Sequence, residues 1–350
     1  MARLRTVSPQ SVGWSRRRAG RGFVYLDEAG ERLGPAEVER IRSLAIPPAW
    51  REVWICPFAN GHIQAVGTDD AGRRQYLYHP NWRAKRDRAK FDRVCAAAHR
   101  LPAARRRVAR DLRADGMPLA RAAAAAVRLL DLGSFRIGSD VYADANGSFG
   151  LTTLERQHVR ARSGHLIFTF LGKSGIEHTI DIDDADAIAA IERMRARRAR
   201  SRRLLAYQAE ARRWVDLDAP AVNAYLAGLL GGELTAKDFR TWHATVLAAT
   251  ALALTEEKGA TSASRRRAVK AAVTQVADYL GNTPTIAKNS YIDPRVFDHY
   301  ESGSTIGPAA RKHHRSTAAR QRDLERAVLE LLEGSGSPTV RRRRGAPRAP

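Results

Sequence analysis

Leu166-Ile167-Phe168-Thr169-Phe170-Leu171-Gly172-Lys173-Ser174-Gly175-Ile176-Glu177-His178-Thr179-Ile180-Asp181-Ile182 is a hairpin set into an otherwise helical half-chain. Leu166–Leu171 reads as an apolar strand. Ile176–Ile182 alternates apolar and polar residues with the period of a half-buried strand, and Gly172-Lys173-Ser174-Gly175 makes the turn between them. Gly-Lys-Ser also occurs in phosphate-binding loops, but the leading glycine of such a loop would fall at Ile167, and a strand pattern follows where a helix should begin. The motif therefore argues against ATP binding, and the residues that matter are those a hairpin tip can project.

Helices flank this hairpin. Arg121 to Leu130 is rich in strong helix formers and Gly133 suits its stop. Thr235-Ala236-Lys237-Asp238 has the form of a capping box and opens a long helix. From about Ser264 to Leu280, residues Val269, Ala272, Val273, Val276 and Leu280 form one stripe, ended by Gly281. Pro284 suits the first turn of a short helix and Asp293-Pro294 the start of another. Before a composition shift near Pro80–Arg93, the chain reads differently. Val24–Leu26 is a short strand and Pro35 to Leu44 a helix stopped by Pro47-Pro48. Val53–Cys56 and His62–Val66 are strands around Asn60-Gly61, and the turn Asp70-Ala71-Gly72 leads into Arg73-Arg74-Gln75-Tyr76-Leu77-Tyr78. Period-two geometry puts Tyr76 and Tyr78 on one face. The expected fold class is α+β: a small antiparallel β-sheet N-terminal domain, then a mainly α-helical domain with a β-hairpin. The expected boundaries are a basic flexible N-terminus over 1–21, a β-rich domain over 22–90, a mainly helical domain over 91–310, and a C-terminal helix with a basic disordered tail over 311–350.

The net charge of +23 points to the partner. Residues 1–21 carry six arginines and residues 334–350 five, with no acid in either, yet the chain between them is also basic. A basic body favours a polyanion through phosphate neutralisation and counterion release, so nucleic acid is the expected partner, ahead of a ribosome or an acidic protein. Residues 193–213 hold nine arginines and one acid, which suits either a solvated helix face or a strip that tracks phosphates. The two cysteines, Cys56 and Cys95, cannot build a disulfide framework or a four-ligand zinc site, and read as small buried hydrophobes. No stretch approaches the roughly 20 apolar residues of a membrane span, and no apolar segment follows the basic start as in a secretory signal. The expected compartment is the cytoplasm, in association with the nucleoid, with no membrane partner. His313-His314 lie adjacent in a basic run and no acidic cluster suits a two-metal nuclease, so neither a metal nor another cofactor is expected.

Phosphodiester transfer without metal needs a nucleophile, fixed cations for the non-bridging oxygens, and an acid for the leaving oxygen. Arg136 follows a helix end, Lys173 sits at the hairpin tip, Arg240 lies in the first turns of the capped helix, and Tyr291 precedes the break at Asp293-Pro294. Guanidinium matches phosphate, desolvated lysine can act as an acid, and tyrosine supplies an oxygen nucleophile. Taken singly, each arginine is more often a surface charge and a lone tyrosine more often core, and spacing alone does not join them.

The motifs around these residues resemble the type IB DNA topoisomerases of the small bacterial and poxvirus kind. They are Phe135-Arg136-Ile137-Gly138-Ser139-Asp140-Val141-Tyr142 continuing to Gly150-Leu151-Thr152-Thr153-Leu154; Phe170-Leu171-Gly172-Lys173-Ser174-Gly175; Thr235-Ala236-Lys237-Asp238-Phe239-Arg240-Thr241-Trp242; and Leu280-Gly281-Asn282-Thr283-Pro284 running into Lys288-Asn289-Ser290-Tyr291-Ile292-Asp293-Pro294-Arg295-Val296. They occur in family order over about residues 20–305. The resemblance implies that Tyr291 forms a 3′-phosphotyrosyl link, that Lys173 assisted by Arg136 protonates the 5′-oxygen, and that Arg136 and Arg240 clamp the phosphate. Asn282 stands where many relatives carry histidine and would donate a hydrogen bond to the phosphate, without charge or proton. Gln75, Tyr76, Tyr78, Tyr142 and Lys237 would contact double-stranded DNA, with one monomer clamping the duplex. Relaxation of supercoils would then need neither ATP nor metal. Two alternatives stay open on the residues: a tyrosine recombinase, although Lys237-Asp238-Phe239-Arg240 lacks the usual His-x-x-Arg, and a non-catalytic basic DNA-compacting protein.

Overall fold

Strand patterning before residue 80 and helical patterning after it produce two units, Met1–Asp92 and Arg93–Pro350. The computed structural model describes residues 3–138, 147–210, 213–232, 234–255 and 261–334. In the first unit five strands form an antiparallel sheet in the order β2-β1-β3-β4-β5. They are β1 (Trp14–Ala19), β2 (Gly22–Leu26), β3 (Arg51–Ile55), β4 (Ile63–Thr68) and β5 (Arg74–Tyr78). With helix α1 (Pro35–Ser43) the sheet encloses a small core of Ile41, Ile46, Val53, Ile55 and Ala65, flanked by Trp14, Tyr25 and Trp50.

β1 corrects the expectation of a flexible arm over 1–21. Its basic run reads as solvated charge, but Arg16 turns inward and donates to the carbonyls of Ile46 (3.3 Å), Pro47 (3.0 Å) and Trp50 (2.7 Å). Its guanidinium also lies over the Phe23 ring, 4.0 Å from the centroid. These acceptors lie about thirty residues away along the chain, so no local pattern announces them. β5 is one of the two edge strands, opposite β2. Tyr76 and Tyr78 stack on its exposed face with ring centroids 6.0 Å apart. Gln75 points to the other face, where its amide donates to Asp69 (2.9 Å).

The second unit is mainly helical: α2 (Pro80–Ala98), within which the boundary falls, then α3 (Leu101–Leu112), α4 (Leu119–Leu132), α5 (Ala185–Arg195) and α6 (Ala219–Leu230). They are followed by α7 (Ala236–Leu254), α8 (Ser262–Leu280), α9 (Pro284–Ser290), α10 (Arg295–Glu301), α11 (Gly307–Ala310) and α12 (Thr317–Glu333). Ala122 to Ala126 are all buried, so α4 has no solvent face there, and these small side chains let α3, α5, α6 and α7 pack around it. The expected hairpin is β7 (His165–Leu171) and β8 (Glu177–Ile182), joined through a single 3-10 turn, Lys173–Gly175. β6 (Val159–Arg162) extends it to an antiparallel sheet of three strands, and β9 (Ala206–Gln208) pairs with β10 (Trp214–Asp216).

Two charged features hold this unit together. Arg105 of α3 grips Asp131 of α4 through Nε and Nη2 (both 2.8 Å), and Glu325 of α12 through Nη1 (2.7 Å) and Nη2 (2.8 Å). Burial alone would raise the Asp131 pKa, but hydrogen bonds and charge from His243 and Arg105 outweigh it and hold the carboxyl below the usual range. The second feature lies in the arginine run, which divides into two kinds of residue. Arg197 is buried and donates to the carbonyls of Met194 and Leu204 (2.7 and 2.8 Å) and of Arg203. Arg156 takes those of Arg197, Ala199 and Ser201. Arg193, Arg198, Arg200 and Arg202 are exposed. Part of the run is therefore scaffold, an option that its composition did not raise.

Candidate active site

The C-terminus of α8 organises the site. Gly281 takes a left-handed conformation (φ 59°) and Asn282 N–H returns to the Ala277 carbonyl (2.9 Å), closing a Schellman-type stop. The last carbonyls of a helix lack helical partners and attract cations. Here two arginines supply them. Arg240 of α7 donates to Leu280 O (2.7 Å) and, across the turn after α4, to Ser134 O. Arg136 donates to Gly281 O (3.0 Å) and to Asn282 Oδ1 (2.7 Å).

Arg136 is held in this place by its neighbour. Phe135 is 1% exposed, meets Phe168 edge-on with centroids 5.1 Å apart, and stacks on Phe170 at 6.0 Å. The apolar strand β7 thereby fixes the turn from which Arg136 projects. Arg240 is held by the capped start of α7, where the Asp238 carboxylate accepts the Thr235 N–H (2.9 Å).

Tyr291 ends α9. That helix starts with Thr283 capping the Ile286 N–H (3.3 Å) and Pro284 in the first turn. Asp293, which bonds Arg295 N–H (3.0 Å), starts α10 just beyond. Thr245 of α7 lies between the two: its hydroxyl donates to Thr241 O (2.9 Å) in its own helix, lies 3.4 Å from Tyr291 O, and accepts from Asp293 N–H (3.1 Å). One helix thus carries both Arg240 and the residue that registers Tyr291. The Arg240 guanidinium carbon lies 5.6 Å from the centroid of the Tyr291 ring.

Sequence positions 136, 240, 282 and 291 are therefore brought together. Among the described residues, neither Arg136 nor Arg240 pairs with a carboxylate. Arg136 Nε, Arg240 Nε and Asn282 Nδ2 are all buried donor atoms with no hydrogen-bond partner among the described residues. Burial first, and then Arg136, lower the Arg240 pKa to about 10, with Tyr291 opposing the shift; the group stays cationic at neutral pH. Unpaired buried donors and uncompensated cations are both costly, and an anion would relieve both costs at once. Lys173 is exposed in the turn of the β7–β8 hairpin and makes no hydrogen bond or ion pair among the described residues.

His178 and Thr245 were missed in the sequence. His178 lies near Arg136 and Arg240, and burial followed by these two charges lowers its pKa, leaving the ring neutral at pH 7. Its signal was present: it shares the period-two register of Ile176, Ile180 and Ile182. Thr245 is a polar residue on the buried stripe of α7. Lys237 is exposed at the start of α7, and Tyr142 lies outside the described residues. Among the described residues no group of three or more His, Cys, Asp or Glu side chains could hold a metal ion, and no helix is long and apolar enough to cross a membrane.

Comparison with known proteins matches both units. The family profile of the eukaryotic DNA topoisomerase I catalytic core covers residues 79–313, and that of the bacterial DNA topoisomerase IB N-terminal domain covers residues 22–69. The protein named DNA topoisomerase 1B of Acanthamoeba polyphaga mimivirus is 29% identical over 304 residues, which is 83% of this chain and 88% of the viral protein. The order of the motifs, the fold that gathers them and these matches agree: the chain belongs to the type IB DNA topoisomerases, a family of isomerases acting on DNA.

Proposed function

We propose that the chain relaxes supercoiled DNA by cutting and resealing one strand through Tyr291. The observation that carries this reading is the cluster itself: among the described residues, a buried and a half-buried guanidinium without counter-charge, and three unpartnered buried donor atoms, beside a tyrosine. A phosphate in that cluster would accept from Arg136, Arg240 and Asn282. The Tyr291 oxygen then attacks phosphorus and gives up its proton to solvent. A 3′-phosphotyrosyl bond forms, the bond to the 5′-oxygen breaks, and Lys173 assisted by Arg136 delivers a proton to that oxygen. Fixed donors aimed at the developing charge stabilise the transition state, because they need no reorganisation as the reaction proceeds.

The phosphotyrosyl bond conserves the energy of the phosphodiester. The free 5′-end swivels under torsional strain and then attacks the phosphotyrosine to reseal the strand, so the cycle uses no ATP. The two guanidiniums supply the charge that a metal would otherwise bring. Nucleophile, cations and acid all come from one chain, so a monomer suffices. Tyr76 and Tyr78 offer an exposed, stacked pair to the duplex, and Lys237 an exposed cation. Gln75 must exchange its bond to Asp69 to join them. Tyr142 is a further proposed contact on the resemblance alone. The match of residues 22–69 to a topoisomerase module weighs against the recombinase alternative. The test is relaxation of a negatively supercoiled plasmid with chelator and without ATP. Full relaxation is expected; a shift of plasmid mobility with unchanged linking number would leave only DNA binding.

A further inference from the structure

The imidazole of His178 fills the space between two glycines. A Cβ on Gly172 would lie 2.5 Å from His178 Cδ2, and one on Gly281 would lie 2.5 Å from Cε1. Any side chain at either position would overlap the ring. Gly172 is the residue before Lys173, and Gly281 is the residue whose carbonyl Arg136 holds and which precedes Asn282. The ring also stacks on Phe170 (centroids 5.4 Å, planes 22° apart), and Phe170 stacks on Phe135, the neighbour of Arg136. Neither ring nitrogen has a hydrogen-bond partner among the described residues, so shape and stacking hold it in place. A flat ring is thus wedged between the backbone that carries Lys173 and the backbone that carries Asn282.

We infer that His178 is a positioning residue: its ring sets the Lys173 hairpin at a fixed distance from the cluster of Arg136, Arg240 and Asn282. The inference rests on the proposed role of Lys173 as the acid. Lys173 has no partner of its own among the described residues, so the hairpin backbone locates it, and His178 is what that backbone rests on. A displacement of about 1 Å at a reacting group can cost on the order of 100-fold in rate. Truncating the wedge should therefore impair protonation of the leaving oxygen while leaving the phosphate clamp in place.

The test is single-turnover cleavage by the full chain on two matched duplexes, one normal and one with sulfur at the 5′-bridging position, which needs no strong acid. His178→Ala should cleave the normal duplex roughly 100-fold more slowly, approach the parent on the sulfur duplex, and bind DNA within a few-fold of the parent. Combined with Lys173→Ala, it should add no further slowing, because both changes remove the same proton delivery. His178→Phe keeps a ring that can stack on Phe170 and should retain most of the cleavage rate; thermal melting confirms that each variant is folded. Equal slowing on both duplexes, or full additivity with Lys173→Ala, would overturn the inference. So would His178→Phe being folded yet as slow as His178→Ala, which would make the imidazole itself a contact to the DNA. If Lys173→Ala alone is not rescued by sulfur, it is the acid role of Lys173 that fails, whatever the behaviour of His178.

Discussion

Replacing Arg240 with alanine should impose two separable costs. The first is structural. The guanidinium satisfies Leu280 O and Ser134 O inside the protein, and its removal leaves two carbonyls without their donor. At about 1–3 kcal/mol per unsatisfied buried group, tempered by water entering the space, a loss of roughly 2–5 kcal/mol is expected. For a domain of this size that lowers Tm by on the order of 5–15 °C. The second cost is chemical. Deleting one preorganised donor to a developing oxyanion typically slows reaction by about 100- to 1,000-fold, or about 3–4 kcal/mol of transition-state stabilisation. The two are distinguished by measuring single-turnover cleavage well below the melting transition, DNA affinity on the same preparation, and Tm. Arg240→Lys should fall between parent and alanine, because an ammonium restores charge but not the fork that spans two carbonyls. An Arg240→Ala protein that melts lower but cleaves at the parental rate would remove Arg240 from the phosphate clamp and leave it only a structural role.

Three further outcomes are expected. Lys173→Ala should slow cleavage far more than it weakens binding, with a 5′-sulfur leaving group restoring the rate; failure of that rescue in single-turnover assays would count against the acid role. Asp131→Asn should destabilise the protein at pH 7 by about 2–3 kcal/mol, because it removes charge-assisted hydrogen bonds to Arg105 and brings an amide N–H up against a guanidinium that only donates. The native pKa of Asp131 is depressed, so its contribution is complete above the unfolded carboxylate value near 4 and is lost as pH falls below it. Denaturant titrations of parent and variant should accordingly converge toward acid pH, and a gap that widens there would refute the sign. Removing residues 335–350 should reduce the salt dependence of DNA binding, measured as the slope of log affinity against log salt, without changing single-turnover cleavage.

Much of this architecture was legible because it is local. The α8 stripe ending at Gly281, the capping box before α7, and the paired faces of Tyr76 and Tyr78 each follow from a period or a cap within one element. Interactions between distant segments were not legible. Arg16 within a basic run reads as solvated charge until the carbonyls of residues 46, 47 and 50 arrive beside it. Arg197 likewise reads as one of many surface arginines until the loop closes around it. Residues 136, 240, 282 and 291 meet because two arginines cap one helix end, a reason that no spacing expresses; in the sequence only family resemblance joined them. His178 shows the intermediate case, since strand periodicity placed it inward without saying that two glycines would enclose it.

Trapping the parent protein on a DNA strand whose 5′-end can diffuse away, then digesting it and sequencing the DNA-linked peptide, reads the chemistry at its centre. A single adduct at the oxygen of Tyr291 is expected, absent from Tyr291→Phe even though that variant binds the same duplex within a few-fold. An adduct that persists in Tyr291→Phe, or that maps to another residue, would contradict the assignment of Tyr291 as the nucleophile.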